Sequence, residues 1–142
     1  MNETILDVRN LKVEFDTANG VIKAVDGISF QVQRGRTLGI VGESGSGKSV
    51  TSLSVMGLVP NPPGRIADGK ILFSAKADAP PVNLCEATPT QMQAYRGSQI
   101  SMIFQEPMSS LNPVYTCGFQ LIEAIRQHQN LTKIEAEKMI MD

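Results

Sequence analysis

Eight consecutive residues, Gly42-Glu43-Ser44-Gly45-Ser46-Gly47-Lys48-Ser49, constrain this chain more than any other feature. Glycine has no Cβ, so it reaches backbone angles closed to other residues and lets amides approach a ligand closely. The string matches G-x-x-x-x-G-K-[ST] at every specified position. Successive amides in such a loop point inward and form an anion cradle. A stretch of helical character begins near Lys48 and runs to Leu58, so the positive end of a helix faces the same hollow. The Lys48 ammonium is a point charge suited to β- and γ-phosphates, and the Ser49 hydroxyl is an oxygen donor of the kind Mg²⁺ takes. The competing reading is a flexible glycine-serine loop. Context opposes it, because an apolar run precedes the loop and a helix follows. The expected ligand is a nucleoside triphosphate, Mg·ATP first.

The order of elements supports this. Leu11, Val13 and Phe15 alternate with Lys12 and Glu14, the period of a strand with one buried face. Asn19-Gly20 is a turn signal, and residues 21–25 read as the return strand. Ile28, Phe30 and Val32 alternate again, as a further half-buried strand. Residues 37–41 are almost continuously apolar, the mark of a strand covered on both faces in a parallel sheet. The helix after the loop should stop at the prolines Pro60, Pro62 and Pro63. Residues 69–73 and 99–104 read as strands. Thr88 and Pro89 suit the cap and first position of a short helix. Residues 119–129 look helical. Thr132 and Glu135 fit a capping box opening the last helix.

Composition narrows the class. The chain has 142 residues, 42% of them hydrophobic, with a formal net charge of −1. That suits one domain at most, and it offers no basic face for nucleic acid. No leader peptide is visible in Met1-Asn2-Glu3-Thr4, and no stretch approaches the roughly 18 apolar residues of a membrane helix. The expected setting is cytoplasmic. Cys85 and Cys117 lack metal-ligand spacing and read as free thiols. His128, between two glutamines, reads as solvated.

Beyond the loop, Ile103-Phe104-Gln105-Glu106-Pro107 and the following Met108-Ser109-Ser110-Leu111-Asn112-Pro113 carry a resemblance. With Phe15 in a sheet ahead of the loop, they make the chain similar to the nucleotide-binding subunit of an ABC transporter, in its dipeptide/oligopeptide permease branch. The resemblance covers essentially the whole chain. It implies an α/β fold: a P-loop NTPase core of ABC type, with an N-terminal antiparallel β subdomain (1–35), a core with a β insertion (36–106) and the start of a helical subdomain (107–142), incomplete. It implies ATP and Mg²⁺ as cofactors, bound by Phe15, Gly42, Glu43, Ser44, Gly45, Ser46, Gly47, Lys48, Ser49 and Val50. Phe15 would stack on adenine, although it also suits a core aromatic. Ser49 and Gln105 would ligate Mg²⁺, and Gln105 would contact the attacking water at a hinge. Glu106 is not expected to be the general base.

The resemblance further implies transporter membrane subunits as partners, a second ATPase subunit in a homo- or heterodimer, and indirectly an extracytoplasmic solute-binding protein, at the inner face of the cell membrane. The later acidic strands, the signature loop and the switch histidine have no candidate between Asn112 and Asp142. The chain thus reads as an N-terminal portion expected to bind nucleotide without efficient hydrolysis. The alternatives are an ABC-type ATPase acting on nucleic acid and a non-catalytic remnant.

Overall fold

The computed structural model describes residues 3–105 and 110–141. It divides into two compact units, Met1–Gln99 and Ile100–Asp142. In the first, β1 (Thr4–Thr17) and β2 (Gly20–Gln33) form one long antiparallel hairpin. Its turn lies at the expected Asn19-Gly20. Gly20 has φ 116°, open to glycine alone, and the Thr17 hydroxyl donates to its carbonyl oxygen at 2.6 Å. Residues 21–25 and 28–32 are one strand rather than two. Gly27, with φ 80°, absorbs an extra residue as a bulge instead of ending the ladder. β3 (Gly64–Phe73) pairs with the other edge of β1, and β4 (Val82–Asn83) with β3. The order is β2-β1-β3-β4, with every pairing antiparallel.

β1 carries the core. Val8, Leu11 and Val13 are all buried. Val8 and Leu11 stand three apart, so strict alternation would send them to opposite faces. Asn10, with φ 47°, is an extra residue against both β2 and β3 and restores the parity. It is held by its N–H, donated to the Ser29 hydroxyl at 2.8 Å, and by its side-chain amide, donated to Asp68 at 3.1 Å. Val25, Ile71, Phe73, Leu84, Met56 and Met92 complete this core.

Two helices belong to the same unit. α1 (Lys48–Val55) ends ahead of the prolines, where Gly57 turns left-handed at φ 62°. α2 (Pro89–Tyr95) starts as its sequence says. Thr88 Oγ1 accepts from the Gln91 N–H, and the Gln91 side chain accepts from the Thr88 N–H, completing a capping box with Pro89 in the first turn.

Two expectations are corrected. Residues 37–41 are not a strand, and Leu38, Ile40 and Val41 are exposed, Val41 at 96%. Residues 99–104 form no strand either, with Ile103 92% exposed. An extended segment becomes a strand only where a neighbour supplies hydrogen-bond partners. The described strands pair among themselves, which leaves residues 37–41 unpaired and residues 99–104 with an isolated bridge at Ile100.

The second unit holds α3 (Cys117–His128) and α4 (Lys133–Met141). The Thr116 side chain caps α3, accepting from the Phe119 N–H at 3.3 Å. At α4 the expected capping box is formed. Glu135 accepts from the Thr132 N–H at 2.8 Å, and the Glu135 N–H donates to the Thr132 hydroxyl at 3.4 Å. His128 is exposed at the end of α3. Both cysteines are free thiols. Glu106, Pro107, Met108 and Ser109, part of the motif-bearing segment, lie outside the described residues, as does Asp142. Among the described residues no helix is long and apolar enough to cross a membrane.

Candidate functional site

The loop before α1 is shaped by its glycines. Gly45 and Gly47 take φ of 81° and 88°. Space matters as well as angle. A Cβ on Gly47 would stand 2.5 Å from the Ala24 carbonyl oxygen and 3.3 Å from Val25 Cγ2. A Cβ on Gly42 would meet Ser46 Oγ at 2.5 Å, whereas one on Gly45 would meet nothing within 4 Å. Glycine is required at both positions, at Gly47 by backbone and at Gly42 by the Ser46 side chain, and it leaves the loop amides open to close approach by an anion.

Gly47 is the N-cap of α1, and no side chain caps that end. The Thr51 N–H bonds the Gly47 carbonyl at 2.9 Å. The N–H groups of Lys48, Ser49 and Val50, earlier in the same turn, have no acceptor within the helix. They add to the positive end of the helix dipole. Thr51 and Ser54 are buried and return their hydroxyls to the Gly47 and Val50 carbonyls at 2.9 and 2.7 Å. That keeps both hydroxyls satisfied inside the core and leaves Ser49 exposed at the start of the helix. The Lys48 ammonium donates to the carbonyl oxygens of Gly42 at 2.7 Å and Glu43 at 2.6 Å, and to the Ser46 hydroxyl at 3.2 Å.

Phe15 lies near the end of β1, paired with Ile22 on one side and Gly64 on the other. It shares a face with Val13, whose partner Val25 lies 3.3 Å from the Cβ position of Gly47, just behind the Ala24 carbonyl. The ring is half-buried, and its edge occupies the space a side chain on Gly64 would need, 2.7 Å from that Cβ position. Its neighbours Glu14 and Asp16 are both held by Arg65, at 2.7 Å each. The hydrogen bonds to Asp16, and then to Glu14, raise the Arg65 pKa above its ordinary value. Gln105 stands in an exposed bend of the second unit.

Among the described residues no three His, Cys, Asp or Glu side chains gather to hold a metal. Mg²⁺ does not require such a cluster, since it keeps much of its water and takes phosphate oxygens beside one or two protein oxygens. Ser49 presents an exposed hydroxyl at the start of α1.

Two residues escaped sequence reasoning. Ala24 is the extra residue of a β2 bulge opposite Val13 and Glu14, and its carbonyl abuts Gly47. Arg96, after α2, donates from Nε to the Met56 carbonyl and from Nη2 to the Gly57 carbonyl, both at 2.8 Å. A cation there complements the negative end of α1. No local pattern marks either residue.

The sequence profile described as ABC transporter matches residues 25–141. The chain belongs to the ABC transporter family. Among curated ABC transporter proteins, it is 47% identical over 139 residues to the dipeptide transport ATP-binding protein DppD of Bacillus subtilis, covering 98% of this chain and 40% of that protein. It is 43% identical to the oligopeptide transport ATP-binding protein OppD of the same organism, covering 97% of this chain and 37% of that protein. It is 46% identical to the glutathione import ATP-binding protein GsiA of Shigella dysenteriae, covering 96% and 22%. The chain thus spans about 40% of the length of the first of these relatives. Among solved structures, it resembles the dimeric cassette MJ0796, a bacterial ABC transporter cassette, with a TM-score of 0.74 and 18% identity, covering 94% of this chain and 53% of that one. At that identity the likeness is one of fold, and the fold is a partial ABC ATPase domain.

Proposed function

We propose that this chain is the nucleotide-binding portion of an ATP-binding subunit that powers import of peptides or a related small solute. The observation that carries the proposal is the uncapped, glycine-shaped loop at residues 42–49, with Lys48 and Ser49 at the start of α1. The named functions of the peptide-transport relatives support the same reading.

In this reading the amides from Gly42 through Val50, including those of Glu43, Ser44, Gly45, Ser46 and Gly47, hold the phosphates of ATP, and Lys48 neutralises the β- and γ-phosphates. Ser49 and Gln105 supply oxygen to Mg²⁺. Bound Mg²⁺ offsets charge on the phosphates during transfer. Phe15, half-buried at the end of β1, stacks on adenine. Gln105 also positions water, at a hinge between a core of residues 36–106 and a helical subdomain starting at 107, with residues 1–35 as the β subdomain. The partners are transporter membrane subunits and a second ATPase subunit, with a solute-binding protein reached indirectly. The place of work is the inner face of the cell membrane.

By itself this chain binds nucleotide and hydrolyses it negligibly, because phosphoryl transfer needs, beyond the phosphate and Mg²⁺ contacts named above, a catalytic carboxylate and a signature loop that these residues do not supply. The test is titration of the folded chain with a fluorescent ATP analogue, with and without Mg²⁺. A saturable, Mg²⁺-dependent signal lost in Lys48→Ala supports the proposal, and no signal from folded material overturns it. Phosphate release above the no-protein control, abolished by Lys48→Ala, would refute the hydrolysis part alone.

A further inference from the structure

An ammonium group has three N–H donors and no acceptor. In Lys48 all three are taken inside the loop, by Gly42 O at 2.7 Å, Glu43 O at 2.6 Å and Ser46 Oγ at 3.2 Å. A phosphate oxygen can therefore join Lys48 only by replacing one of these acceptors.

The three are not equivalent. The two carbonyl bonds have the short lengths of charge-assisted hydrogen bonds. Their oxygens are backbone, and the Glu43 carbonyl also closes a turn by accepting from the Ser46 N–H at 3.2 Å. The Ser46 bond is the longest, and its oxygen can leave by a single χ1 step between staggered positions. The same hydroxyl also packs against Gly42, 2.5 Å from where a Cβ on that residue would stand.

We infer that the Ser46 hydroxyl is a built-in stand-in for a phosphate oxygen. It occupies the third donor of Lys48 and yields it to a nucleoside di- or triphosphate. The inference rests on the nucleotide reading above. It makes Ser46 a positioning residue that lowers affinity, since each binding event breaks an internal hydrogen bond before a new one forms. No bond beyond hydrogen bonds is made or broken.

The test uses the full chain and Ser46→Ala, with equilibrium binding of ATP, ADP and AMP. A net hydrogen bond contributes enough for the substitution to tighten ATP and ADP about 2- to 10-fold. AMP, with one phosphate, does not extend to the β position and should bind equally to both proteins. The thermal midpoint should stay in place, because Ser46 is exposed. Unchanged or weakened ATP binding in Ser46→Ala overturns the inference while leaving the nucleotide reading intact. Equal tightening for AMP overturns it too, as a general loosening of the loop. Absence of saturable ATP binding by the unsubstituted chain overturns both.

Discussion

The carbonyl oxygen of Ala24 lies 2.5 Å from where a Cβ on Gly47 would stand, so the β2 bulge packs directly against the last turn of the phosphate loop. Gly47→Ala meets that carbonyl while holding φ at 88°, and backbone cannot rotate away as a side chain can. It should destabilise the chain by about 1–3 kcal/mol in urea unfolding, through strain and overpacking together. Gly45→Ala faces open space at φ 81° and should cost only about 1 kcal/mol, from the left-handed angle alone. Equal losses for the two would contradict the contact with Ala24.

Lys48→Ala removes the one ammonium bridging Gly42, Glu43 and Ser46. Hydrogen bonds from a charged group are worth about 1.5–3 kcal/mol, so the Kd for Mg·ATP should rise about 10- to 100-fold. The bonds within the loop are solvent-exposed, so the thermal midpoint should move little. Fluorescence titration and calorimetry on one preparation check both halves.

Arg96→Ala leaves the Met56 and Gly57 carbonyls without their donor at the C-terminal end of α1. Two bonds to a cation at a helix C-terminus predict a loss of about 1–3 kcal/mol. Arg96→Lys should recover only part, because one ammonium does not reproduce the two-pronged geometry. Urea midpoints of the three proteins decide it.

Asp7 is buried and accepts from Arg9 at 2.6 and 2.9 Å. Those bonds lower its pKa, burial works against them, and Gln31 adds a smaller lowering. A folded pKa below the unfolded value means stability present above about pH 4 and lost as pH falls through the folded pKa. Asp7→Asn should flatten the acid limb of the stability curve below about pH 4. A limb of unchanged steepness would show that Asp7 does not contribute there.

Val41 is 96% exposed and ends an apolar run in which Leu38 and Ile40 are exposed as well, and a contiguous exposed apolar run favours association between copies of a chain. Val41→Lys should raise the monomer fraction in size-exclusion chromatography at equal loading.

Much of the fold was legible because its signals are local. The Thr88–Gln91 and Thr132–Glu135 capping boxes, the Asn19-Gly20 turn and the glycines of the loop each close within a few residues. Phe15 is a case between. Its alternation predicted a face shared with Leu11 and Val13, but only the pairing with Gly64 set how far its ring is covered.

The sequence by itself determined where the chain must turn, where helices start and where an anion would find amides, since angle and charge there belong to neighbouring residues. Tertiary structure alone decided that Asn10 brings Val8 and Leu11 to one face, that Ala24 braces Gly47, and that Arg96 ties down α1. It also decided that residues 37–41 stay uncovered. In each case the partner, or its absence, lies far along the chain, and apolarity records a need for cover without naming what supplies it.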